Sequence, residues 1–584
     1  MKFEAVYHRT SDNYCYPYNE EDLIINIKTG RDVEQVFLCY GDPFESGILG
    51  GNWRWSGVEE EIIYKKNLTH HIWWTTTVKP KYKRCKYYFR LLSGDSCFYY
   101  FENGFYTEEE MNYPRKGLVY FTFPWMNPAD INQTPNWVND TIWYQIFPER
   151  FENGDKSNDP PTVKPWGYHE VRNEDYYGGD LQGIINRMDY LNDLGINGIY
   201  LTPIFEAPST HKYDTTDYLN IDPDFGDKET LKILVKQAHQ KGIRVMLDGV
   251  FNHCGKYFKP WQDVLQKGPK SPYFHWFMVN NWPIKNEDHN TKDGSFYSFA
   301  FTSRMPKLNT NHPDVIKYFN EVVEHWIKEF DIDGLRLDVA NEVSHQFLRE
   351  LRKTTKVLKP DFYLLGEIWH DAIRWLNGDE FDGVMNYPLA SAISDFWINS
   401  EQSSFDFECA INRNFTMYMQ QSNDCLFNLL DSHDTNRLID KTKDIRIFYQ
   451  QLAVLFTMPG SPCIYYGTEI GMEGSFDPDC RRCMPWDQID KGSFLTRMEI
   501  VKTLIQLRKS NQAFKSKHFH FIEDEQNKRV LRYIKIDEEG KRVEIILNCS
   551  TEPVLIENKG EKLFGFLEEN FILQPKGIYM QEIN

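Results

Sequence analysis

The chain has 584 residues, more than a single domain accommodates, so two to four domains are expected. Its formal net charge is -19 and its pI near 5.4, which argues against a nucleic-acid backbone or an anionic membrane as partner, since both select basic patches. Sixteen Trp and 34 Tyr suit the apolar C–H faces of sugars, but they serve equally as core material, so composition alone does not choose.

Residues 1–120 are rich in aromatic and β-branched residues. Leu23–Ile27, Val36–Tyr40 and Lys86–Leu92 read as strands between glycine and polar clusters, which predicts a β-sandwich. The runs Trp53-Arg-Trp55 and His71-Ile-Trp73-Trp74 look exposed and in need of a partner surface. A twofold homodimer through this domain is the expected solution; the sandwich's own core and a starch-binding face are the alternatives. A proline-bearing linker runs from Phe123 to Trp137.

From about residue 121 to 514 strands alternate with helices. Eight short apolar runs are candidate strands: Ile142–Phe147, Gly198–Thr202, Arg244–Asp248, Gly334–Asp338, Phe362–Glu367, Phe381–Met385, Leu426–Leu430 and Cys463–Gly467. Between them lie amphipathic stretches such as Leu231, Leu234, Val235 and Ala238, spaced i, i+3, i+4, i+7 and stopped by Gly242. This rhythm predicts a parallel sheet buried on both faces, and eight strands predict a (β/α)8 TIM barrel. The stretch about 254–310, after the third strand, is too long for a connection and predicts an inserted subdomain over the barrel mouth. Residues 515–584 return to β: Val530–Ile536, a turn at Asp537, then Val543–Leu547 form a hairpin in a C-terminal antiparallel β-domain.

Eleven scattered cysteines make no CxxC framework, the N-terminus has no apolar signal core, and no run is long enough to span a membrane. A cytoplasmic protein with reduced thiols is expected.

Four segments carry the chemistry: Asp248-Gly-Val-Phe-Asn252-His253, Gly334-Leu-Arg336-Leu-Asp338, Gly366-Glu367 and Ser432-His433-Asp434. Each places an acid or histidine where a barrel strand ends, the end at which TIM-barrel sites form. Any one of these acids alone is more simply a helix cap or turn residue; four in this order are not. Glycoside cleavage needs two carboxyls around one sugar. Arg336 and Asp338, two apart on one strand, share a face, so the guanidinium is expected to lower the Asp338 pKa and keep a nucleophile ionised. Glu367, near Asp338 and Asp434, is expected to hold a proton as general acid.

These segments resemble the motif regions of the α-amylase superfamily, glycoside hydrolase family 13. The resemblance implies Asp338 as nucleophile, Glu367 as acid/base and Asp434 as transition-state stabiliser. It implies that His253, His433 and Tyr213 hold the sugar at subsite -1 and that Asp248 and Asn252 support them. Met305-Pro-Lys-Leu-Asn309 and Val339-Ala-Asn341-Glu342 resemble the neopullulanase, cyclomaltodextrinase and maltogenic amylase subgroup. By that resemblance Asn341, Glu342, Trp369 and Phe299 shape acceptor subsites, Asp477 and Arg481 limit the donor side, and residues 1–120 are like carbohydrate-binding module 34. Ser344 and Thr468 depart from the subgroup, which often has Asp at both positions.

Asn153, Asp155, Asn158 and Asp159 crowd four side-chain oxygens into seven positions, which suits Ca²⁺ or makes only an Asx-rich turn. The resemblance adds the Gly178 carbonyl and Asp180 to the cation's ligands. The expected function is a retaining hydrolase of α-1,4 links in cyclodextrins, maltooligosaccharides and pullulan, with some transglycosylation. A glucan transferase or branching enzyme on the same scaffold is the alternative, and a non-catalytic binding subunit a third reading.

Overall fold

The computed structural model describes every residue except 46–54, 56, 113–117, 168–170, 285–289 and 584. At the N-terminus two antiparallel sheets face each other. One runs in the order Cys15–Pro17, Leu23–Gly30, His71–Val78, Tyr64–Asn67, and the other is built around Gln35–Gly41 and Cys85–Ser93. Strand alternation divides the first sheet's side chains. Ile25, Ile27 and Trp74 enter the sandwich core with Val36, Leu38 and Phe89, while Tyr16 and Ile24 pack against Met419 of the next domain.

This corrects the reading of the aromatic runs. Trp55, Trp73 and Trp74 are 6%, 5% and 2% exposed, so none of them awaits a partner surface. Alternating residues of one strand are claimed by two apolar layers inside the chain itself. Trp53 lies outside the described residues.

The central domain is an eight-stranded parallel sheet whose strand order closes on itself. The last gap is bridged by the parallel pair Met385–Phe427. All eight sequence-predicted strands are present; six are shorter than expected, while Arg244–Gly249 runs one residue further and Ser461–Tyr465 begins two residues earlier. Trp143, Tyr200, Met246, Tyr363, Leu365 and Phe427 pack in one buried cluster, drawn from five of the strands and making the barrel a filled core. Around it pack helices such as Lys228–Gln240, which buries Leu231, Leu234, Val235 and Ala238, and Pro313–Phe330.

Strand register sets up the site. Asp248 is the Cα partner of Arg336, and Leu337 that of Gly366. The next residues, Asp338 and Glu367, therefore leave neighbouring strands at one level. After the third strand the chain forms the helix Lys259–Lys267 and returns through the bridges Phe277–Leu308 and His253–Lys307, which tie the insert to the barrel mouth.

The C-terminal five-stranded antiparallel sheet contains the expected hairpin, Val530–Ile536 against Arg542–Asn548. It does not stand apart: Leu531, Tyr533, Val543 and Ile545 belong to the same apolar cluster as the barrel helices. The N-terminal sandwich docks through the small Tyr16–Ile24–Met419 cluster together with polar contacts such as Asn13 Nδ2 to the Thr416 carbonyl (2.8 Å) and Gln421 Nε2 to the Pro17 carbonyl (2.9 Å).

Candidate active site

The predicted acids converge around one buried arginine. Arg336 Nη1 lies 2.8 Å from Asp248 Oδ2 and 2.9 Å from Asp338 Oδ1, and Nη2 lies 2.9 Å from Glu367 Oε2. The guanidinium is fully buried, and its planar fork presents donors to several carboxylates in a fixed geometry that a lysine's flexible point charge does not provide.

This geometry corrects the expected electrostatics. Arg336 does not serve Asp338 alone; one positive charge is divided among three acids. Burial, followed by the Glu367 and Asp248 charges, holds the Asp338 carboxyl well above the usual carboxylate range despite the arginine. Burial likewise raises Asp248 to about 6, against the pull of Arg336.

Glu367 is positioned by backbone and ring. The Val339 N–H donates to Oε2 at 2.9 Å, and Trp369 Nε1 donates to Oε1 at 3.1 Å. Val339 adopts φ +45°, a left-handed conformation that costs a β-branched residue on the order of 1–3 kcal/mol. This turn directly follows Asp338 and carries the amide that Glu367 accepts. Trp369 is in turn stacked on Tyr387, ring centroids 3.6 Å apart and 8° between planes.

Two histidines frame the opposite side. His433 is bonded at both ring nitrogens: Nδ1 accepts from Gln145 Nε2 (2.7 Å), and Nε2 pairs with the Tyr213 hydroxyl (2.6 Å). Tyr213 also donates to Asp248 at 3.1 Å, and Tyr200 donates to the same oxygen at 2.6 Å. His253 Nε2 stands 3.9 Å from Asp338, and Phe299 stacks on its ring at 4.9 Å. Burial, and then neighbouring cations, push His253 down to about 3 and His433 well below its ordinary value. Both rings are therefore neutral near pH 7 and can donate from one nitrogen and accept at the other.

Asp434, the most exposed of the three predicted catalytic acids, is held by Arg481 Nη2 at 3.1 Å, and Arg481 Nη1 reaches Asp477 at 2.9 Å. Asn252 accepts from Lys307 Nζ, which lies 3.0 Å from Glu342 Oε2 and so links the insert to the turn after Asp338. Asn341 sits exposed on that same turn. The departures also find places: Ser344 caps the helix His345–Leu358 through the Phe347 N–H, and Thr468 donates to Asp431 at 2.8 Å.

Sequence reading missed Gln145, Tyr200, Lys307 and Tyr387. The polar Gln145 inside the apolar strand Trp143–Ile146 was a usable signal. Lys307 lies inside the Met305-Pro-Lys-Leu-Asn309 segment already singled out, which gave it a signal but no role; the two tyrosines carried none, because ordinary barrel packing explains them equally well.

The six oxygen donors lie apart from this centre, in the loop after the first barrel strand and the segment entering the helix Leu181–Asn186. Asp180 receives the Gly154 and Asp155 N–H groups at 3.1 and 2.8 Å, and caps that helix through the Gly183 N–H. Asn153 Oδ1 and Asn158 Oδ1 are buried with no hydrogen-bond partner. Gly178, at φ +80°, leaves no room for a side chain: a Cβ would fall 2.2 Å from Asp159 Oδ1. Asp155 turns instead to Ser157, whose N–H and hydroxyl it accepts. Among the described residues no three His, Cys, Asp or Glu side chains form a metal-binding group. Two orphaned amide oxygens, on residues whose amide N–H groups reach the Asp159 and Asp180 carboxylates, nevertheless fit a hard cation.

Comparison with known proteins agrees with this geometry. The alpha amylase catalytic domain matches residues 145–535, and the alpha amylase N-terminal Ig-like domain matches residues 1–127. The chain is similar to a cyclomaltodextrinase of Geobacillus thermopakistaniensis (strain MAS1), 47% identical over 97% of this chain and 95% of the relative. It is similar to a maltogenic alpha-amylase of Bacillus acidopullulyticus, 45% identical over 94% and 92%. A solved cyclomaltodextrinase structure covers all of both chains with TM-score 0.89 at 39% identity.

Proposed function

Since the chain belongs to the α-amylase family, with catalytic and N-terminal domains both matched, we propose that it hydrolyses α-1,4-glucosidic bonds of cyclodextrins, maltooligosaccharides and pullulan by double displacement. The observation that carries this reading is the grip of Arg336 on Asp248, Asp338 and Glu367 at neighbouring strand ends. The names of the relatives support the cyclic and maltosyl substrates, and the Met305-Pro-Lys-Leu-Asn309 segment supports the neopullulanase, cyclomaltodextrinase and maltogenic amylase subgroup as a whole.

In the first step Glu367 gives its proton to the glycosidic oxygen as Asp338, in the carboxylate form that Arg336 favours against burial, attacks the anomeric carbon; the bond to the leaving sugar breaks and a glycosyl ester forms. In the second, Glu367 takes a proton from water, whose oxygen displaces Asp338 and restores both carboxyls. A sugar hydroxyl in place of water gives transglycosylation. Asp434, fixed by Arg481, stabilises the oxocarbenium-like transition state. Neutral His253 and His433, with Tyr213, hold the hydroxyls and face of the reacting sugar. Asp477 and Arg481 border the donor side, and Phe299, Asn341, Glu342 and Trp369 the acceptor side.

Asn153, Asn158, Asp159, Asp180 and the Gly178 carbonyl would hold Ca²⁺ as a structural ion, with Asp155 contributing by a rearranged side chain or its backbone. Such an ion ties the first barrel loop to the next helix. We place the protein in the cytoplasm, as a homodimer through its N-terminal domain. Eleven unpaired cysteines suit a reducing compartment, and among the described residues no helix is long and apolar enough to cross a membrane.

The test is one comparative assay of reducing-sugar release from cyclodextrin, pullulan and starch. Cyclodextrin and pullulan are expected to be cleaved faster than starch. Faster cleavage of starch, or glucan lengthening in place of sugar release, refutes the substrate assignment.

A further inference from the structure

Where the three domains meet, a cavity of about 490 Å³ lies between the outer face of the first N-terminal sheet, the barrel segment Phe415–Asn423 and the start of the C-terminal domain at Lys517 and His518. It is separate from the strand ends that carry the acids. Its volume falls in the range of about 300–1,000 Å³ typical of small-ligand sites.

The sheet wall is set by register. Lys66 pairs with Trp73, Tyr64 with Thr75 and Thr75 with Asn26, which places alternate side chains of three strands on the face away from the sandwich core. The lining mixes aromatic rings (Tyr64, Trp73, Phe415) with Thr75, Thr76 and Gln420, a composition that covers sugar C–H faces and meets hydroxyls.

Three lining residues carry buried polar atoms without hydrogen-bond partners: Lys66 Nζ, Asn26 Oδ1 and Asn423 Oδ1. Their side chains belong to residues only 8%, 4% and 1% exposed. The Lys66 amine lies over the Phe519 ring, 3.5 Å from its centroid, and 5.6 Å from the Tyr64 ring; burial lowers its pKa to about 7 against the nearby Glu408 charge. An orphaned buried donor or acceptor is costly unless a partner arrives. One unpaired donor beside two unpaired acceptors calls for a ligand that both gives and takes hydrogen bonds, as a hydroxyl does. Glu60 and Glu61 at the same wall disfavour an anion.

We propose that this three-domain junction is a second binding site, distinct from the catalytic centre, for a short neutral gluco-oligosaccharide. The choice of a glucan over another polyol rests on the proposed function. A ligand there bridges all three domains and stabilises their mutual docking by mass action.

The test measures maltotriose binding to full-length Glu367→Gln by isothermal titration calorimetry. Two classes of site are expected. Adding Lys66→Met weakens one class about tenfold or more, the loss expected when a buried hydrogen bond is removed and its partner left unsatisfied. Adding Thr75→Trp, which fills the cavity from a half-buried position, abolishes that class and leaves the other. In the otherwise unaltered enzyme neither change alters cyclodextrin hydrolysis at saturating substrate. A single class of sites, or two classes that both survive Thr75→Trp, overturns the proposal. So does a site that takes inorganic phosphate but not maltotriose. Binding at the junction without any glucan hydrolysis by the unaltered enzyme would refute the proposed function and leave this site standing.

Discussion

Arg336 Nη2 stands 2.9 Å from Glu367 Oε2 across two neighbouring barrel strands, while Nη1 of the same guanidinium holds Asp338. Removing the cation by Arg336→Met strands three buried carboxylates. It is expected to cost about 3–5 kcal/mol of stability, as for breaking any buried pair, and at least about 10²-fold in kcat/KM. Arg336→Lys restores charge but not the fork, so it should recover melting temperature more than activity. Near-normal kcat/KM in the lysine variant would show that the three-way grip is unimportant.

Asp338→Asn and Glu367→Gln should each lower turnover by about 10²–10⁴-fold or more with an unchanged far-ultraviolet spectrum. The first sugar released by the unaltered enzyme should be the α-anomer, because two inversions at one carbon restore its configuration. Proton NMR of fresh product decides it: β-anomer appearing first rules out a nucleophilic Asp338.

Exhaustive chelation should lower the melting temperature more than it lowers activity at low temperature. The proposed cation loop carries none of the catalytic acids, and an ion bound only by the folded chain stabilises by mass action. Asn153→Ala, which removes one orphaned oxygen, should reproduce much of the shift and abolish further response to chelator. No metal in the purified protein, with an unmoved melting temperature, would leave the loop a turn.

Sedimentation at micromolar concentration should show a dimer. If the N-terminal domain of one copy narrows access to the other's barrel, dilution into the monomer range raises activity on starch relative to cyclodextrin. A monomer at every concentration, or a constant ratio, excludes that role. Trp73 and Trp74 cannot form the interface, since the chain already buries both.

His8 is buried in the sandwich between the Asn26 carbonyl (2.6 Å) and the Tyr87 hydroxyl (2.8 Å), and burial lowers it to about 3. The unfolded chain, with an ordinary histidine near 6.5, takes up this proton first. The stabilising contribution of neutral His8 is therefore complete above about pH 6.5 and lost progressively as pH falls towards 3, by at most about 1.4 kcal/mol per pH unit. Thermal melts of wild type and His8→Gln from pH 7.5 to 4.5 test this: the variant should lose less stability on acidification. Parallel curves would place the wild-type ring in an ordinary, protonatable setting.

Periodicity and order of motifs determined much of this protein from sequence. Helical spacing at Leu231, Leu234, Val235 and Ala238 and short apolar runs at eight places are local properties, and the barrel follows because parallel strands must be covered on both faces. The four acid-bearing segments were legible for the same reason, since side chains at the ends of barrel strands are bound to meet. What tertiary structure decided was how shared charges and faces are divided. Arg336 looked like the partner of Asp338 because sequence shows only neighbours along one strand. Register across strands gives the same cation to Asp248 and Glu367, and burial opposes its pull on the Asp338 carboxyl. Trp73 and Trp74 looked exposed because an aromatic run names no burial partner. Alternation sends Trp74 into the sandwich and turns Trp73 towards the barrel, and only packing of the two domains reveals that both sides are occupied.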